Sequence, residues 1–122
     1  MGTWGAGNFQ NDGALDYLCD LVQRLEKEIE NCFIEDDRAD LDEDGEAVLI
    51  PSVAILSVLC EKFNVAPPKE TVIKEWREKY LRIYDEQIDN LRPRENYKQE
   101  RRQVIEDTFV KLETIALSFY RR

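Results

Sequence analysis

Residues 12–33, DGALDYLCDLVQRLEKEIENCF, decide the fold class. Leu15, Leu18, Leu21, Val22, Leu25, Ile29 and Phe33 line up as one apolar stripe when the chain is wound at 3.6 residues per turn. Asn11 or Asp12 can cap the first turn, because a short side-chain oxygen there accepts a backbone N–H that has no partner inside the helix. Asp12 and Asp16 also suit the positive end of the helix dipole. The stretch predicts an amphipathic helix over about 12–33.

Downstream, Ile34 to Glu46 breaks the pattern with EDDRADLDEDGE, an acidic loop by composition. A second helix is expected over about 47–63. Val48, Leu49, Ile50, Val53, Ala54, Ile55, Leu56, Val58, Leu59 and Cys60 are apolar nearly all round it, which predicts a central, buried element. Pro51 fits only in its first turn, where the missing N–H costs nothing. Pro67 and Pro68 start a third helix over about 69–91, with Val72, Ile73, Trp76, Tyr80, Ile83, Tyr84, Ile88 and Leu91 inward. After Arg92-Pro93-Arg94 a fourth helix is expected over about 95–120. It carries Tyr97, Arg101, Val104, Ile105, Thr108, Phe109, Leu112, Ile115, Ala116 and Phe119 on its inner face. Short links imply antiparallel neighbours. The expected fold is all-α, a single-domain four-helix bundle or orthogonal helical array over 1–122, with an aromatic, glycine-rich N-terminal loop.

Composition agrees. The 122 residues suffice for one core without metals or disulfides. No run of eighteen apolar residues offers a membrane span, and no basic-then-apolar leader opens the chain. Met1-Gly2 would suit acylation, but Ala6 stands where Ser or Thr is wanted. Cys19, Cys32 and Cys60 lie within apolar helical patterns and read as buried free thiols of a reducing cytoplasm. The net charge of −9 is polarised: residues 1–64 hold 15 acids and 4 bases, residues 65–122 hold 11 acids and 13 bases. An acidic net charge repels nucleic acid and anionic lipid, so neither is an expected partner, whereas the polarity would let the chain dock head to tail or meet a basic partner with its acidic half.

The opening MGTWGAGNFQNDGALDYL interleaves Gly2, Gly5 and Gly7 with Trp4 and Phe9. Trp4, Gly5, Gly7, Phe9, Asn11, Asp12 and Asp16 closely resemble the signature of a bacterial family filed as domain of unknown function number 4259. In the resembling family this segment is the recognisable signature, with no known catalytic role. A phosphate-cradling loop is disfavoured: no strand precedes it, no Lys follows in register, and Asp12 and Asp16 would repel the anion. Trp4, Phe9, Asn11 and Asp12 are expected to form a structural plug and helix start.

Other chemistries fail on spacing. Asp40-Leu41-Asp42-Glu43-Asp44-Gly45 imitates the first half of a calcium-binding EF loop, yet Pro51 occupies the position of the bidentate glutamate. Glu75 with Glu78, and Glu86 with Asp89, imitate paired magnesium carboxylates. On one helix, though, the two pairs stand about 16 Å apart and read as surface charge. The chain contains no histidine, which removes the usual base for a Ser or Cys nucleophile and the usual zinc ligand. No catalytic residue, metal site or cofactor is assigned. Arg101 and Arg102, in the basic run RPRENYKQERR, are expected to pair with acids of the N-terminal half as exposed ion pairs.

The preferred expectation is a non-enzymatic cytoplasmic protein that binds or regulates a basic protein partner, in the manner of an immunity protein. Glu35, Asp36, Asp37, Asp40, Asp42, Glu43 and Asp44 would supply steering and rim contacts. The alternatives are a carboxylate-only, divalent-cation-dependent enzyme or sensor, and a homo-oligomeric structural module.

Overall fold

A computed structural model describes residues 2–121. Helix α1 runs Asp12–Ile34, α2 Ile50–Phe63, α3 Glu70–Gln87 and α4 Glu95–Tyr120. A π turn, Gly45–Leu49, leads into α2, and a 3-10 turn, Ile88–Leu91, extends α3. Among the described residues there is no strand, only an isolated bridge between Thr3 and Asn11. The fold is an all-α helical bundle.

Helix α2 packs on both α1 and α4, and α3 packs on α4. Trp76 of α3 reaches Glu30 of α1 through its indole N–H at 3.2 Å. The core joins Ile29 and Cys32 of α1, Val53 and Leu56 of α2, Ile73, Trp76, Tyr80 and Tyr84 of α3, and Ile105, Phe109 and Leu112 of α4. The 64–69 connector delivers the chain from α2 to a helix that packs chiefly on α4, so sequence neighbours α2 and α3 are not the main spatial neighbours. Asn64 ends α2 in the left-handed region at φ 54°, a conformation that asparagine tolerates better than most residues.

Helix α2 is less enclosed than its composition suggests. Val53, Leu56, Ser57 and Cys60 face the core, whereas Pro51, Ala54, Ile55 and Val58 are exposed on the opposite side. Two flanking helices cover only part of a cylinder, and the uncovered part here stays apolar. Pro51 does lie at the start of α2, but the chain is already helical before it. The π turn widens the backbone there, and the Ile50 N–H reaches back five residues to the Gly45 carbonyl. The wider turn eases the clash that a proline ring makes with the carbonyl one α-turn earlier.

The N-terminal loop is closed by Trp4 N–H to Gln10 C=O at 3.0 Å and by Gly7 N–H to the Gln10 side chain at 2.7 Å. Asn11 caps α1, its side chain accepting the Ala14 N–H at 2.8 Å. Phe9 packs on Phe63 of α2 with ring centroids 4.5 Å apart. Trp4 does not join that plug. It remains 55% exposed, because the narrow loop brings only its Phe9 arm against α2. Leu91, Tyr97 and Val104 are also exposed rather than inward. The buried row of α4 runs Ile105, Phe109, Leu112, Ala116, and Val104 sits about 100° around the helix from it.

Candidate partner-binding surface

The acidic loop is built around one cation. Arg38 donates from Nε to Asp44 at 2.6 Å, from Nη1 to Glu35 at 3.0 Å, and from Nη2 to Glu28 on α1. Its guanidinium is held charged far above the ordinary arginine range, chiefly by the bonds to Asp44 and Glu28. The backbone folds back on the same residue, Asp44 N–H donating to the Arg38 carbonyl at 2.9 Å. Asp37 takes φ 59° within this turn, a left-handed conformation open to aspartate.

Side chains from α3 and α4 fix the far end of the loop. Gln87 accepts the Leu41 N–H at 2.9 Å and donates to Asp40 at 2.6 Å. Tyr80 donates its hydroxyl to Glu46 at 2.6 Å, and Arg101 grips the same carboxylate from Nε at 2.8 Å and Nη2 at 3.1 Å. Burial, then the Glu46 hydrogen bond, push the Tyr80 hydroxyl far above the usual tyrosine range, so it stays a donor. Ala39 and Leu41 are buried beneath the loop. Gly45 is required by space: a Cβ there would lie 2.3 Å from the Ala39 carbonyl oxygen and 2.8 Å from that of Asp40. The stretch expected as an acidic loop is therefore a packed turn, and the π turn begins at Gly45, inside the expected loop.

This arrangement divides the seven acids. Glu35 and Asp44 are spent on Arg38, and Asp40 on Gln87. Asp36, Asp37, Asp42 and Glu43 are exposed and outside every ion pair among the described residues. Two large apolar side chains border them. Ile34, next in the chain to Glu35, is 74% exposed, and Leu91 lines a shallow groove with Asp40, Leu41, Asp42, Gln87 and Asn90. Sequence reasoning missed Arg38, Gln87, Ile34 and Leu91. The signal for Arg38 was available, since it is the sole base between Lys27 and Lys62.

Among the described residues no group of three Asp, Glu or Cys side chains is placed to hold a metal ion. Glu75 pairs with Lys79 one turn on, at 2.9 Å. Arg101 does reach the N-terminal half, through Glu46, but the pair is largely shielded rather than exposed. Arg102 instead pairs with Asp85 of α3 at 2.8 Å and with Glu106. Cys32 and Cys60 are buried free thiols, and burial, reinforced by Glu26, pushes Cys60 up to about 11. Cys19 differs from the expectation: it lies on the solvent side of α1.

A small helical bundle with a carboxylate-rich turn braced by its own helices defines the class of this protein. Residues 2–114 match the family described as Domain of unknown function (DUF4259), and the chain belongs to that family. No curated protein and no solved structure matches it. No helix of the described residues is long and apolar enough to cross a membrane.

Proposed function

We propose that this protein is a non-enzymatic binding or regulatory module of the cytoplasm that docks a basic protein partner on residues 34–46 and Leu91. One observation carries the reading. The side chains of Asp36, Asp37, Asp42 and Glu43 have no ion pair among the described residues, yet they stand on a turn held in place by Arg38 and Gln87, beside exposed Ile34 and Leu91. Pre-ordered charge gives fast, selective encounter without an ordering cost on binding, and neighbouring apolar side chains supply area that charge alone lacks. The test compares capture by the wild type with capture by the variant Asp36→Asn, Asp37→Asn, Asp42→Asn, Glu43→Gln. A basic-faced partner bound by the first, released by moderate salt and lost by the second supports the reading. Equal capture by both overturns it.

A second reading, self-association, is favoured by the exposed row Pro51, Ala54, Ile55 and Val58 on α2. A two-fold contact would set this row against its own copy. Light scattering decides: a monomer at every concentration excludes it.

A further inference from the structure

A second concave site lies away from the acidic turn, between α1 and the connector that leads into α3. It measures about 270 Å³ and opens to solvent along Cys19, Gln23, Ala66 and Lys69. One wall is Cys19, Val22, Gln23 and Glu26, and the other is Val65 to Lys69, with Tyr120 of α4 closing one side. Val22 and Val65 are buried and give it an apolar floor.

Its two charged side chains are the informative ones. Glu26 is partly buried and has no ion-pair or hydrogen-bond partner among the described residues. Burial and the neighbouring Glu30 carboxylate raise its pKa, the signature of an anion short of solvation and of a cation. Glu26 and Tyr120 line the same cavity, and the Glu26 charge raises the Tyr120 hydroxyl after burial. Lys69 holds its ammonium 4.1 Å from the centre of the Tyr120 ring. That ring is anchored by its hydroxyl, which donates to the Pro67 carbonyl at 2.5 Å. Lys69 is thus a positioned cation with no carboxylate partner among the described residues. Glu26 and Lys69 share one cavity without neutralising each other. A guest that carries both charges would satisfy both.

We infer that this cavity binds a small zwitterion of the α-amino-acid type. Its ammonium meets Glu26, its carboxylate meets Lys69 and the Gln23 amide, and a short aliphatic side chain rests on Val22, Val65 and Pro67. The volume suits a free amino acid and is small for a larger metabolite. Neither Cys19 nor any covalent step is needed.

The test is amide NMR titration of the full chain with L-alanine, L-proline and L-valine, with methylammonium and acetate as single-charge controls. The expected result is a saturable shift of the Gln23, Val65, Ala66 and Lys69 amides for at least one amino acid. Affinity should fall about tenfold or more in Glu26→Gln and, separately, in Lys69→Met. Each variant's thermal midpoint is measured alongside, and Glu26→Gln is expected to fold at least as stably as wild type. No saturable shift up to roughly 10 mM ligand overturns the inference. So does methylammonium binding as tightly as the amino acids, or a Glu26→Gln variant that folds and binds like wild type.

Discussion

Glu46 is bound at both oxygens by Arg101, fifty-five positions further along the chain, while Tyr80 donates to the same carboxylate from a third element. The contact pins the π turn to α3 and α4 together. It also holds in place a turn whose two ends, Gly45 and Leu49, are buried.

Glu46→Ala removes the acceptor of two donors that are shielded from water. The expected loss is about 1–3 kcal/mol, the usual consequence of stranding a shielded donor. Arg101→Lys should recover only part of the Arg101→Ala loss, because an ammonium cannot reproduce the two-point grip. Urea unfolding of the three variants measures this directly.

Arg77 and Glu113 face each other across α3 and α4, with Nε 2.9 Å from Oε2 but poorly aligned for a hydrogen bond at that contact. Glu113 is nearly inaccessible. Arg77→Leu alone should destabilise by roughly 3 kcal/mol by leaving that carboxylate alone in the interface. The double variant Arg77→Leu, Glu113→Leu should regain most of the loss. Additive losses in a double-mutant cycle would contradict the pairing.

Gly45→Ala should cost about 1–3 kcal/mol, since the new methyl meets two backbone carbonyls that cannot rotate away. Calorimetric melting reads it. A Gly13→Ala control, where the nearest atom a Cβ would meet is a side-chain oxygen at 3.5 Å, should be tolerated.

Two carboxylates should respond to pH in opposite directions. Asp85 has its pKa lowered, first by the hydrogen bond from Arg102, so folded protein releases that proton more readily than unfolded. Its stabilisation is present above the unfolded pKa and disappears as pH falls through the folded one. Glu26 has a raised pKa, so the folded state keeps a proton that the unfolded chain has lost. Stability therefore declines as pH climbs from the ordinary carboxylate range to the folded value of Glu26. Glu26→Gln should remove that decline and be more stable than wild type at pH 7, whereas Asp85→Asn should be less stable there. Denaturation at a series of pH values separates the two.

The helices were legible because α1 and α3 keep a strict apolar stripe and because Asn11, Pro51 and Pro67-Pro68 punctuate them. Harder to read was which face of a helix lacks a neighbour. Ile55 and Val58 look like core residues, and only the placement of α1 and α4 shows that they are left about half exposed. Similarly, the seven acids look equivalent in the sequence. Arg38 and Gln87 separate them, and the Gln87 contact spans 47 positions, beyond any local pattern. Gly45 has the glycine of a calcium loop for a reason unrelated to calcium, the close approach of the Ala39 carbonyl.

Arg38 has one more consequence. It is the only bond a trypsin-like protease could select between Lys27 and Lys62, and its side chain is occupied by three carboxylates. A cut there requires the turn to come apart first. The rate of that single cleavage therefore counts openings of the acidic turn, and a partner seated on Asp36, Asp37, Asp42 and Glu43 would silence it.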